Sequence, residues 1–428
     1  DLIHRNDLNF KFLEHYRVKS NEQILIAGGG IGGLTTALAL AKAGWSSHIL
    51  ESHDVFSEAG AGIELTPNAA RVLISLGVEK HIQPAIFKPE KIKIYNALTG
   101  RLLSTLPLTK KIEESYEAPY WVLHRADLQA ALVASVKDQP DIRITTDFHV
   151  EDFEQVSNGV RVQGSNDKII SGPALIGADG IWSTIRSSLF NHSGLKSTGQ
   201  SASRGLIGTE EVESPFCDSV IGIWLAPGAQ LIHYPVKAGN QINVVAVIED
   251  DWLDTGWNKA SDPEELFYRF DYSVHHILKL LKLIKGWRKW SLYELAPLSN
   301  LSSKYVSLIG DAAHPVLPFL SQGGALAIED AVAISNALIE ANGDYEQAWQ
   351  TYERIRKDRV ARVQAASKRN GQIYNMSAPM SWIRNLILKN YHTDRLMNRF
   401  DWLFDHGQTL NSVSNISSNR RISGHPET

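Results

Sequence analysis

Apolar positions along this chain follow two rhythms. A continuous apolar run at Ile24 to Ala27 stops at a cluster of glycines. Apolar residues then return at helical spacing from Ile31 to Ala43, which predicts strand, turn and helix. "SSHILE" at 46–51 predicts the next strand, and "TPNAARVLISLG" at 66–77 a helix with Pro67 near its start and Gly77 just past its end. Residues 86–118 alternate around the hairpin signal "NALTGR". An amphipathic helix follows over 124–138, then strands over 142–180 joined by "SNG" and "SND" turns. Strand-like stretches return at 203–250 and 287–297, and helical spacing at 262–285 and through most of 344–404. From Gln408 onward the polar, Ser/Asn-rich sequence predicts a flexible tail.

Composition narrows the function classes. The 428 residues suffice for two domains, or for one large domain with a second embedded in it. A chain 43% hydrophobic and 21% charged is ordinarily globular, and a net charge of -4 sets up no field toward nucleic acid. No apolar run approaches the ~20 residues of a membrane span. The first twenty residues are too charged for a signal peptide, and a start at Asp1 reads as a trimmed or processed chain. The single Cys217 cannot form an internal disulfide and reads as a buried apolar residue in a reducing compartment, so a cytoplasmic protein is expected. Residues 380–404 are amphipathic and bulky. They could pack on a second subunit or a membrane surface, and packing on the protein's own core is the expectation.

Three motifs carry chemistry. Gly28-Gly29-Gly30-Ile31-Gly32-Gly33 sits between an apolar strand and an Ala-rich helix, the setting of a dinucleotide-binding turn. In such a turn Gly28 permits the tight bend, Gly30 admits a pyrophosphate and Gly33 lets helix and strand pack closely. Glu51, ending the second strand, is placed to meet ribose hydroxyls. "ALIGADGIWSTIR" at 174–186 puts Asp179 before a glycine at the end of an apolar strand, which an ordinary Asp-Gly turn also explains. "LIGDAAHPVLPFLSQGGALAIEDA" at 308–331 places Asp311, His314, Pro318, Gln322, Gly323 and Gly324 between a strand and a helix closed by Glu329 and Asp330. The N–H groups of that helix start can face a ring carbonyl carrying negative charge.

In this order the motifs resemble the single-component FAD-dependent aromatic hydroxylases, the group A flavoprotein monooxygenases. "AGAGIELTPNA" at 59–69, "LHRADL" at 123–128, "HYPV" at 233–236, "YERIRKDRVARVQAASKRNG" at 352–371 and "DWLFDHG" at 401–407 are similar to the salicylate hydroxylase branch. The resemblance spans residues 22 to 407. It implies an α/β fold: a glutathione-reductase-like Rossmann FAD-binding domain from 22–85, 119–190 and 300–340, an inserted β-sheet substrate domain from 86–118 and 191–299, a C-terminal helical region over 341–407 and a tail over 408–428. It implies FAD as cofactor, NADH or NADPH as reductant, and O2 and a small aromatic substrate as partners. Hydroxylation would proceed through a flavin C4a-hydroperoxide, in a monomer or homodimer. No metal site and no nucleic acid are implied.

Carried over by motif, Arg125, Asp179, Asp311, Gln322, Gly323 and Gly324 join the glycines and Glu51 as FAD contacts. Pro318, Tyr234, Gln322 and Gln230 fall at catalytic positions, and Pro318, Tyr234, Arg204 and Trp224 are substrate-binding candidates. His314 is expected to position its loop. Arg204 could hold a substrate carboxylate or make a surface salt bridge, and Trp224, read as lying on the same strand as Tyr234, could stack on substrate or pack in the core. Glu64 would lie near the flavin, where it disfavours anions unless protonated or paired, or else face solvent. Relatives acting on hydroxybenzoates often carry a histidine four residues ahead of Tyr234. Here that position is Gln230, which cannot act as a base, and His233 should point to the opposite strand face, so Tyr234 or a water would take the proton, or the substrate needs none. "LYELAP" at 292–297 has Glu294-Leu295 where relatives commonly have an Asp-Arg pair, and Ser52 follows Glu51 where they often have arginine. The expected activity is hydroxylation of a phenolic or N-heteroaromatic acid. The open alternatives are a family hydroxylase or epoxidase acting on a larger secondary metabolite, and a non-catalytic flavin-binding protein.

Overall fold

Ile24–Ala27 lies at the heart of a six-stranded sheet. It pairs in parallel with Leu175–Gly177 on one side and Ser47–Leu50 on the other. Val306–Leu308 and Ile142–Thr145 extend the parallel set, and Ser302–Ser303 closes one edge antiparallel. Every residue of Ile24–Ala27 is buried, which is why the strand reads as an unbroken apolar run and not as alternation. Helices Ile31–Lys42 and Gly323–Glu340 pack together, and both feed the core of this sheet. The computed structural model describes residues 22–56, 61–108, 110–190, 194–250, 252, 259–390 and 393–406. The tail expected from Gln408 and the charged first twenty residues lie outside the described residues.

A second, eight-stranded sheet draws its strands from 91–107 and 195–295. One face carries Trp224, Leu231, Val244 and Ile248 under the helices Glu264–Arg269 and His275–Leu283. The other face, through Arg204, Ile232, Tyr234 and Val245, looks into the main cavity of the protein.

Four sequence expectations need correction. Lys110–Tyr116 is a helix, inside a stretch read as alternating strand. Trp224 and Tyr234 do not share a strand: they sit on Val220–Ala226 and Ala229–Val236, joined by a tight turn at Pro227-Gly228. Cys217 is only partly buried. Leu388, Leu396, Met397, Leu403 and Phe404 of residues 380–404 pack on the protein's own core as expected, but on the helix Met380–Asn390 Trp382 is 69% and Leu386 62% exposed, so that part of the apolar side does not cover it. No helix among the described residues is long and apolar enough to cross a membrane.

The acidic close of the 308–331 stretch is buried completely. Glu329 and Asp330 face Arg356 and Arg359 of the long helix Tyr345–Tyr374. Arg356 reaches Glu329 at 2.7 Å and Asp330 at 2.6 Å, and Arg359 reaches Glu329 at 2.7 Å. Burial alone would raise both acids. The Arg356 and Arg359 guanidiniums outweigh it and hold Glu329 at about 2, while His314 and Arg356 hold Asp330 below its ordinary range. Replacing Arg356 by methionine strands two buried carboxylates and should cost about 3–5 kcal/mol in urea unfolding. Glu329 contributes its full stability above its unfolded value of 4.5 and loses it as pH falls toward about 2. Wild-type stability should therefore decline across that window, and decline less steeply in Arg356→Met; unfolding midpoints measured against pH check both.

Candidate active site

At the end of Ile24–Ala27 the chain bends at Gly28, whose φ of +106° lies where side chains are strained. A Cβ at Gly28 would strike the Ala178 carbonyl, and one at Gly33 the Gly28 carbonyl, whereas Gly30 faces open space. The helix Ile31–Lys42 therefore begins close against its strand, with free N–H groups at its start. Glu51 lies directly beneath. Its carboxylate accepts N–H bonds from Gly29 at 2.6 Å and His53 at 2.9 Å. Burial pushes this acid up, but the bonds from His53 and Gly29 outweigh that and leave it lowered and ionised. An open glycine face, a helix start and a fixed anion below it fit the pyrophosphate and ribose of FAD.

Asp179 behaves differently from its expectation. Its carboxylate accepts from the Ser183 hydroxyl at 2.5 Å and the Ile185 N–H at 3.0 Å, so its side chain caps the helix Thr184–Phe190. Its neighbours Ala178, Gly180 and Ile181 line the cavity in its place. Arg186 ties this cap to the third motif by donating to the Ala312 carbonyl at 2.9 Å. Asp311 and Arg125 both line the cavity; burial raises the Asp311 carboxyl against the pull of Arg125, His314 and Arg186.

The turn from Gly310 to Gly324 is held from behind. The Gly310 N–H and His314 both bond Asp330, at 2.8 Å and 2.6 Å, so His314 does position its loop. The Gln322 amide donates to Thr66 at 2.9 Å and accepts from Asn68 at 3.1 Å, and Asn68 also donates to Glu329 at 2.6 Å. Gln322 itself lines the cavity, and these bonds commit its side-chain amide to protein partners, so it is placed to shape the turn more than to act on the substrate. What it sets is the start of helix Gly323–Glu340, where Gly323 and Gly324 line the cavity. Pro318 lines it too, with its carbonyl accepting from the Ser321 N–H at 3.3 Å.

The sheet supplies the opposite wall. Ile232, Val245 and Arg204 lie abreast on adjacent strands and all line the cavity. Arg204 is 3% exposed, with its guanidinium 5.0 Å from the centre of the Trp290 ring, which excludes a surface salt bridge. Gln230, one pair further along the same face, does not line the cavity, and neither of its amide atoms has a hydrogen-bond partner among the described residues. Trp224 is corrected as a substrate contact. It pairs with Leu231 on the opposite face and stacks on Tyr95 at 4.2 Å. His233 shares that face, where burial lowers it to about 4. Glu294 bonds Lys368 at 2.8 Å.

Glu64 does not face bulk solvent. It touches the open space of the cavity while protein surrounds it, and it accepts from the Tyr120 hydroxyl at 2.5 Å. Sequence reasoning missed Tyr120, Ser321, Trp290 and Asn243, whose side chain accepts from the Gly62 N–H at 2.8 Å. Only Asn243 left a signal, a polar residue inside the apolar strand "QINVVAV".

The family described as "FAD binding domain" matches residues 21–367. The chain is 31% identical over 382 residues to a 3-hydroxybenzoate 6-hydroxylase of Polaromonas naphthalenivorans, covering 89% of this chain and 95% of that one. It is 30% identical over 384 residues to 3-amino-4-hydroxybenzoate 2-monooxygenase PtnB3 of Streptomyces platensis, again covering 89% and 95%. A salicylate hydroxylase substrate complex shares the fold with a TM-score of 0.76 at 25% identity, over 90% of this chain and 96% of that one. Klebsiella pneumoniae HpxO complexed with FAD and uric acid shares the fold alone, with a TM-score of 0.79 at 21% identity over 92% and 98%. Gly33→Val should close the glycine turn; purified variant protein is expected to carry less than about a tenth of the wild-type flavin, read by absorbance, while its far-ultraviolet dichroism stays native.

Proposed function

Because this chain belongs to the FAD-dependent aromatic hydroxylase family, we propose that it uses NADH or NADPH and O2 to hydroxylate a small phenolic carboxylic acid. Bound FAD supplies the oxygen-transfer chemistry. Residues 22–85, 119–190 and 300–340 hold it, and 86–118 with 191–299 cover the substrate. The glycine turn and Glu51 take its pyrophosphate and ribose, Arg125 and Asp311 its middle, and the N–H groups at Gly323 and Gly324 its ring. Asp179 acts through the cap it makes.

The observation that carries the substrate class is Arg204. A buried guanidinium stands in the cavity wall beside Ile232, Val245, Trp290 and Leu292, and it can take a carboxylate in two parallel hydrogen bonds. The Tyr234 hydroxyl keeps its proton, because burial and then the nearby Glu64 charge raise it well above its usual range, so it serves as a donor to the substrate. Pro318 and the apolar wall exclude water from the reacting ring. The hydroxybenzoate and aminohydroxybenzoate relatives are named for acids of this kind.

Anaerobic stopped-flow reduction of the bound flavin by NADH and by NADPH tests this. A phenolic acid is expected to speed reduction strongly, and a flavin that no hydroxybenzoate or hydroxypyridine carboxylate accelerates would sink the substrate class. Arg204→Met should raise KM for the accelerating acid about 10–100-fold, the loss of one charge-assisted contact, and leave its carboxamide analogue little changed. Arg204→Lys should recover only part of the loss.

A further inference from the structure

A phenol ring is activated for attack by losing its proton, and the cavity must hold an acceptor for it. Gln230 has no basic atom and does not reach the cavity, and His233 lies on the other face of the sheet. The titratable residues that do line the cavity are Glu64, Arg125, Arg204, Tyr234, Tyr293 and Asp311. Arginines cannot accept, and a neutral tyrosine hydroxyl already carries its proton. Asp311 stands at the cofactor end, facing Arg125 and Arg186. Among the described residues that leaves one carboxylate on the substrate side.

We infer that Glu64 takes the proton of the substrate phenol. Glu64 sits on the short strand Gly62–Leu65, paired with Trp121–His124, and its side chain leaves the strand into the cavity. Every group facing it donates or is positive. The Tyr120 hydroxyl bonds one oxygen at 2.5 Å, and Ser321, in a left-handed turn conformation (φ +54°), donates from the cofactor side. Tyr234 from the sheet and Tyr374 from the long helix feel its charge, and Arg204 lies beyond Tyr234. Burial raises Glu64, and the Tyr120 and Ser321 bonds only partly offset this, which brings its proton affinity closer to that of a phenol. Tyr120 and Tyr234 are pushed well above their usual range, so they stay donors throughout. The phenol O–H bond breaks, a carboxyl O–H bond forms on Glu64, and the negative charge moves to the substrate oxygen, where Tyr234 can donate to it. The site's net charge does not change, so no proton leaves for solvent.

The inference rests on the phenolic reading above, and one experiment separates the two. FAD-loaded protein is mixed with 4-hydroxy-3-nitrobenzoate and its ring isomers, about one pH unit below each free phenol pKa. Binding is read from flavin fluorescence, ionisation from the phenolate colour, and proton release from an indicator in weak buffer. The wild type should bind a probe as phenolate while releasing almost no proton. Glu64→Gln should bind it as neutral phenol, or as phenolate with about one proton released per ligand. Glu64→Asp, which keeps an acceptor, should restore proton retention. Wild type that binds neutral phenol or releases about one proton per phenolate overturns the role of Glu64, as does a Glu64→Gln complex that forms phenolate without release. A flavin-loaded wild type that binds none of the probes overturns the phenolic reading and Glu64 with it.

Discussion

Four charges buried between two helices decide where the reaction chamber stands. A buried carboxylate is tolerable only when it is paired and hydrogen-bonded, and Glu329 and Asp330 meet that condition through Arg356 and Arg359. The same two acids reach forward. Asp330 grips Gly310 and His314 at one end of the 310–324 turn, and Glu329 reaches Gln322 through Asn68 at the other. Arg359 also bonds the Trp402 and Leu403 carbonyls, both at 2.9 Å, fastening the C-terminal segment to the same knot. The turn that meets the cofactor thus inherits its shape from a rigid ionic centre lying behind it.

In front of the turn the cavity is electrically sparse. Among the described residues, Arg204 and Glu64 are the charged side chains of the cavity away from Arg125 and Asp311, one cation and one anion. At low dielectric such charges act strongly on a bound molecule, and in the proposed reading their positions select both its acid group and its ionisation state. The sheet sets one of them and the short Gly62–Leu65 strand the other, so the electrostatics of the cavity depend on how two separate parts of the chain meet.

Much of this was legible from residues alone. The glycine turn, Glu51 and the strand–helix alternation around them follow from local rules, because a bend at Gly28 and a close helix start at Gly33 are set by neighbours in the chain. The opposite facing of His233 and Tyr234 follows from strand geometry. The placement of Gln322 was half legible: the turn was foreseen, but the direction of its amide depends on Thr66 and Asn68, some 250 residues away in sequence. Trp224 misled because two strands joined by a tight turn read as one.

The sequence by itself determined the family, the cofactor end of the site and the strands and helices around the glycine turn. Those features rest on spacing within a few residues, where backbone sterics and hydrogen bonding act directly. Only the tertiary structure decided which polar groups face the cavity. Glu64, Ser321, Tyr234 and Arg204 come from four distant segments, Tyr120 bonds Glu64 from a fifth, and nothing local distinguishes Glu64 from a solvent-facing glutamate. Burial and partners give it chemistry, and both are properties of the packed chain.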